Sequence, residues 1–170
     1  MNGPDLSAFR VLIVPGLHGS NEAHWQSRWE RLHPSFERVV QADWDIPDLA
    51  AWAQRVRVAL EADSRPTLIV AHSFGCLASI HASGNGNLVG ALLVAPADPV
   101  KFGVASLLEQ RRLECPAIVV GSIDDPWMEQ QRASHWALRW GCDFINAGAL
   151  GHINAESWLG DWPFGLQLLH

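Results

Sequence analysis

Ser73 stands in "AHSFG", between the apolar run "TLIVA" (67–71) and the small and apolar residues "CLASIHA" (76–82). A strand turning sharply into a helix at this point would present the serine as a nucleophile, the elbow usually written G-x-S-x-G. Here Ala71 replaces the first glycine, a one-methyl change that is tolerable wherever φ stays negative. Gly75, two residues after the serine, is retained. A serine hydroxyl needs a base to take its proton and a carboxylate to orient that base. His152, in the Gly-rich stretch "GALGHIN", is the candidate base. His72 adjoins the serine, but neighbouring side chains diverge, so it reads as a wall of the site. The candidate acids are Asp124 and Asp125 in "GSIDDP", of which only one can face the imidazole. Asp125, directly before Pro126, is preferred, and Asp98 in "APADP" is a less favoured substitute.

These residues share a place only if the chain forms a sheet whose strands end together. Short, nearly continuous apolar runs alternate with amphipathic ones: "VLIVPG" (11–16), "RVVQAD" (38–43), "TLIVA", "GALLVAP" (90–96), "PAIVVGS" (116–122) and "CDFINAG" (142–148). Strands that are apolar throughout are buried on both faces, as crossover helices require. Helices are expected near 23–32, from Asp48 as cap through "LAAWAQRVRVALEA", after Ser73, and near 103–112, 127–140 and 155–169. The expected architecture is α/β: a three-layer sandwich, α/β-hydrolase-like, with a mostly parallel sheet of about six strands and no cap domain. Ligands bind such sheets beyond the carboxyl ends of the strands. The serine, the acids and His152 all follow strand ends there, in the order Ser, Asp, His used by α/β-hydrolases.

The oxyanion of an acyl-transfer intermediate would then be held by the backbone N–H of Phe74 and that of Leu17, in the Gly-rich turn "PGLHGS". His18, His24, Trp25 and Trp44 follow early strand ends and are candidate pocket residues beside His72. Trp25 and Trp29 fit equally well as the core-facing residues of one helix.

A chain of 170 residues suits one domain, taken here as 1–170, with a real core. Apolar residues make up 48% and charged residues 18%, a balance of neither a disordered nor a membrane protein. A net charge of −6 without a basic cluster excludes a nucleic-acid surface. The expected partner is a small-molecule substrate, with no membrane, and the chain is expected to act as a monomer or small homo-oligomer. The start lacks a signal-peptide pattern, so a cytoplasmic location is expected. Cys76, Cys115 and Cys142 form no C-x-x-C pair, and H-E-x-x-H is absent, so no metal or cofactor is expected. The nine tryptophans are assigned only to core packing and an aromatic pocket wall.

"VPGLHGSNEAHWQSRWE", "AHSFGCLA", "GSIDDPW" and "GHINAESWLGDWP" resemble the small cap-less serine hydrolases of the retinoblastoma-binding-protein-nine-like family, within the α/β-hydrolase superfamily. The likeness spans nearly the whole chain. It implies Ser73, Asp125 and His152 as a triad and cleavage of small ester or amide bonds. A retinoblastoma-binding role does not carry over, because "LECPA" (113–117) lacks the final Glu of an L-x-C-x-E peptide.

Overall fold

The computed structural model describes residues 5–169. Six parallel strands form one sheet: β1 (Arg10–Val14), β2 (Glu37–Arg38), β3 (Thr67–His72), β4 (Leu88–Val94), β5 (Ala117–Gly121) and β6 (Asp143–Asn146). Their order is β2-β1-β3-β4-β5-β6. The chain moves outward from β1 to β2 and then returns to place β3 on the other side of β1, so the order reverses between β1 and β3. Loops diverge at such a switch point and leave a crevice there.

Helices α1 (Trp25–Leu32), α2 (Leu49–Glu61), α3 (Phe74–Ala82), α4 (Ala105–Leu108), α5 (Gln130–Trp140) and α6 (Pro163–Leu169) cover both faces. Strand side chains alternate between faces with period two, and the two cores follow that parity. Leu12, Val14, Ile69, Ala71 and Val119 pack with Trp52 and Val56 of α2, Leu77 of α3 and Trp140 of α5. Val11, Ile13, Val70, Leu92 and Val120 pack instead with Trp25 and Trp29 of α1 and with Trp162. Six of the nine tryptophans are therefore core residues: Trp25, Trp29, Trp52, Trp136, Trp140 and Trp162. Among the described residues no helix is long and apolar enough to cross a membrane.

Several boundaries differ from the sequence expectation. The second strand is two residues long, because beyond Arg38 only the Val39 N–H still reaches β1, donating to the Ile13 carbonyl at 2.9 Å. The helix expected over 155–169 is a short 3-10 turn (Ala155–Ser157) followed by α6, the chain between them turning through positive φ at Trp158 (56°) and Trp162 (44°). Asp48 does cap α2, accepting from the Ala51 N–H at 3.0 Å.

The segment "HWQSRWE" ties α1 to the crevice residue by residue. His24 caps the helix through Nδ1, which accepts from the Gln26 N–H at 3.1 Å. The buried Gln26 amide donates to the carbonyls of Val14 (3.3 Å) and Val70 (3.1 Å), bridging β1 and β3 near the reversal. Buried polar groups are tolerable only when so paired.

Candidate active site

Ser73 joins β3 to α3 with φ 55° and ψ −122°, a strained conformation for any residue but glycine. Its backbone is pinned on both sides. The Ser73 N–H donates to Val94 O (3.0 Å), and its carbonyl accepts from Cys76 N (3.0 Å) and Ala97 N (3.2 Å). Gly75 is required by close approach: a Cβ there would run into the carbonyl oxygens of Val14 and Pro15. A Cβ on Gly16 would lie 2.9 Å from both His72 O and Ser73 Cβ, so the turn after β1 can lie against the elbow only as glycine. Ala71 has no such constraint. It lies within β3, paired with Val14 and Leu93, and its methyl packs into the core of the α2, α3 and α5 face.

The histidine and the acid arrive on the loops after β6 and β5. Ser73 Oγ lies 3.0 Å from His152 Nε2, and His152 Nδ1 lies 3.1 Å from each oxygen of Asp125. The Asp125 side chain is 2% exposed, and among the described residues its hydrogen-bond partners are that imidazole and the Trp127 N–H at 3.0 Å. A buried carboxylate accepting from Nδ1–H fixes the tautomer in which Nε2 carries a lone pair toward the serine hydroxyl. Asp124 faces elsewhere: its Oδ1 accepts from Ser122 Oγ and from the Gly151 N–H, both at 2.8 Å. Those bonds, the backbone one first, hold its carboxyl below the usual range. Asp98 is also not the partner of His152. It is buried beside Ser73 and accepts from Arg132 (2.8 Å) and from the Val100 N–H (3.0 Å).

Above Ser73 opens a cleft of about 540 Å³, lined by Leu17, Phe102 and Trp127 as apolar walls and by Asp98, Lys101 and Glu156 as charged ones. His18, His24 and His72 line it as well. Trp25 and Trp44 do not. Trp25 is 1% exposed in the core, because α1 begins at Trp25 and turns its first residue toward the sheet. Trp44 stacks edge-on against Trp52 (5.7 Å) and lies beneath Gly19, one layer behind the cleft. Phe74 N–H, at the first position of α3, has no partner within its helix, and among the described residues neither it nor Leu17 N–H donates to a protein acceptor. Burial drives the His24 pKa down to about 3, with Arg38 and His152 adding to the effect. Burial likewise pushes His72 well below the ordinary value, followed by the neighbouring His24 and His152. Both rings are therefore neutral.

Sequence reasoning missed Lys101, Phe102, Trp127, Asn154 and Glu156 as cleft residues, and Ser122 as support. Nothing in their spacing marks them, since Lys101, Phe102 and Trp127 reach the cleft from irregular loops and Asn154 and Glu156 from the cap and body of a single 3-10 turn too short to show a period. Only Ser122 carried a signal, standing two residues before Asp124 where a hydroxyl can bond that carboxylate. Among the described residues no group of three or more His, Cys, Asp or Glu side chains is arranged to hold a metal ion.

A family model described as "Serine hydrolase" matches residues 11–170. The chain belongs to the serine hydrolase family. A solved structure described as a YdeN-like hydrolase from Pectobacterium atrosepticum is 37% identical to this serine hydrolase, covers 96% of it and 89% of its own chain, and superposes with a TM-score of 0.92. The ydeN gene product of B. subtilis is 19% identical over 95% of this chain and 96% of its own, with a TM-score of 0.75. An esterase domain from a Rhodothermus marinus protein is 12% identical over 92% of this chain and 85% of its own, with a TM-score of 0.63. The last two likenesses concern the fold alone. No curated protein sequence matches the chain. In this serine hydrolase β3, which leads into Ser73, lies at the sheet centre, flanked by β1 and β4.

Proposed function

We propose that this serine hydrolase cleaves small ester bonds through a Ser73–His152–Asp125 triad and an acyl-enzyme. The observation that carries the reading is the unbroken hydrogen-bonded chain from Ser73 Oγ through His152 to the buried Asp125. Ser73 Oγ attacks the ester carbonyl as its proton passes to His152 Nε2, and the new C–O bond turns the carbonyl into an oxyanion. The free N–H groups of Phe74 and Leu17 donate to that oxyanion. His152 then gives its proton to the leaving alkoxide as the old C–O bond breaks. A water deprotonated by His152 attacks the acyl-Ser73 carbonyl, and His152 gives that proton to Oγ as the acyl C–O bond breaks and the acid is released. Asp125 stays ionised throughout and stabilises the transient imidazolium.

The finer placement with the cap-less retinoblastoma-binding-protein-nine-like hydrolases rests on "HWQSRWE" and "GHINAES". Each segment contributes side chains that support the site: His24 and Gln26 brace the crevice, and Asn154 and Ser157 cap each other in a box that closes the histidine loop. A cleft of about 540 Å³ favours short acyl groups over long-chain lipids. A second reading, an amidase or aminopeptidase with the same triad, is favoured by one observation: the exposed Glu156 lines the cleft, where its carboxylate would attract a protonated amine, whereas Asp98 is already paired with Arg132. Steady-state hydrolysis of p-nitrophenyl esters of graded acyl length, beside aminoacyl anilides, tests both. The ester reading expects short esters to be turned over fastest and Ser73→Ala to abolish the activity. Faster turnover of anilides would favour the second reading, and turnover unchanged in Ser73→Ala would overturn both.

A further inference from the structure

His152 can serve Ser73 and Asp125 only if its loop is held still, and that loop is held by side chains rather than by the sheet. Residues 150 to 153 are gripped one after another. Leu150 N–H donates to Ser122 Oγ at 3.0 Å and Gly151 N–H to Asp124 Oδ1 at 2.8 Å. On the opposite side the His152 carbonyl faces His72 Nε2 at 2.9 Å, and the Ile153 carbonyl accepts from Trp25 Nε1–H at 2.8 Å. A carbonyl only accepts, so His72 carries its proton on Nε2. Ile153 sits at φ 50°, a conformation that a β-branched residue adopts only when its surroundings hold it.

We propose that His72 and Trp25 are positioning residues of this hydrolase, their ring N–H groups gripping consecutive carbonyls of the loop and so fixing the His152 imidazole between Ser73 and Asp125. The parity of β3 explains why these two residues meet. His72 continues the side of Val70, facing the core that Trp25 of α1 occupies, and the two rings lie 6.2 Å apart at 83°. The His72 ring also meets the His152 ring itself, at 4.8 Å and 60°. His24 packs on its far side at 4.7 Å. Because His72 directly precedes Ser73, one strand end sets the place of both the nucleophile and the base. His72 is neutral, so it supplies a donor beside His152 without placing a positive charge against the imidazolium that forms there.

The inference rests on the triad reading, and its test separates the two. Reactive sites are counted by stoichiometric labelling with a fluorophosphonate, and kcat and KM for a short p-nitrophenyl ester are then expressed per labelled site. His72→Phe keeps a ring and loses the donor; His72→Gln keeps an N–H donor; Trp25→Phe keeps an aromatic core residue and loses its N–H. Misplacing a catalytic group by about an ångström costs on the order of 100-fold. His72→Phe is accordingly expected to lose roughly 10- to 100-fold in kcat per labelled site, with KM changed less than about threefold. His72→Gln should recover part of that loss, and Trp25→Phe should show a smaller loss of the same kind. If the substitutions lower only the fraction of protein that labels, with kcat per site equal to the parent, the residues serve stability alone and the inference is overturned. Should His72→Phe fail to fold, unchanged kcat per site in Trp25→Phe overturns it equally. A parent protein that neither labels nor turns over ester overturns the triad reading and this inference together.

Discussion

Two adjacent aspartates show how far a pair of neighbouring residues can diverge in role. Asp125 turns inward and meets His152 with both oxygens, whereas Asp124 turns outward and ties Gly151 to Ser122. Replacing the acid while keeping its shape leaves the imidazole free to adopt the wrong tautomer, so Asp125→Asn should lower kcat by about 10⁴-fold. Asp124→Asn should cost far less, since it weakens one brace of the loop and leaves the proton path intact. Comparing kcat of the two variants on one short ester checks the assignment, and the reverse ranking would exchange their roles. In the sequence the residue types leave this pair open, and the preference for Asp125 rests on its position before Pro126 and on the family resemblance. Side-chain direction depends on the turn's dihedrals, which adjacent identical residues cannot reveal.

At the scale of elements, the strand-to-helix junction at Ser73 was legible because three signals agree: an apolar run, a serine and small residues after it. Ala71 is harmless because it lies within β3, while the glycine that the geometry demands is Gly75, pressed against the end of β1. Gly75→Ala should therefore destabilise the fold by about 1–3 kcal/mol or more, through overpacking against carbonyl oxygens that cannot move aside. Denaturant unfolding checks this, and Ala71→Gly, which leaves that contact alone, should cost less. The phase of α1 was less legible. Trp25 fitted either the cleft or the core, and its placement follows from His24 being the cap, so that the first helical residue points at the sheet. The cleft residues on loops, such as Phe102 and Trp127, carried no periodic signal at all.

Across the whole molecule, two neutral imidazoles are enclosed between the sheet and α1. His24 and His72 have pKa values depressed below the ordinary 6.5, His24 to about 3, chiefly by burial. Below pH 6.5 the unfolded chain binds protons at these positions that the folded chain refuses, so stability is fully present above 6.5 and falls as the pH drops toward 3. His24, whose folded value is about 3, contributes a slope of roughly 1 kcal/mol per pH unit within that window, and His72 adds to it in the same direction. Unfolding midpoints measured from pH 8 to pH 5 should therefore decline. His24→Asn, which keeps a cap for α1, should decline less steeply; an equal slope would mean that His24 is accessible to protons. The number of strands and the coverage of both faces followed from apolar runs separated by amphipathic ones, which is why the architecture was readable from sequence, whereas the order β2-β1-β3-β4-β5-β6 was not. The edge strand was overestimated, because after the single bond from the Val39 N–H to Ile13 the chain leaves the sheet and the apolar run ends on the exposed Val40.

The proposed function stands on Ser73 as the nucleophile, activated by His152 and Asp125. Its most direct test is to treat the protein with a fluorophosphonate and locate the adduct by peptide mass spectrometry. One equivalent of adduct is expected on Ser73, none on Ser73→Ala, and strongly slowed labelling when His152 is replaced by Ala. An adduct on another residue, or labelling of Ser73→Ala equal to the parent, would contradict the assignment.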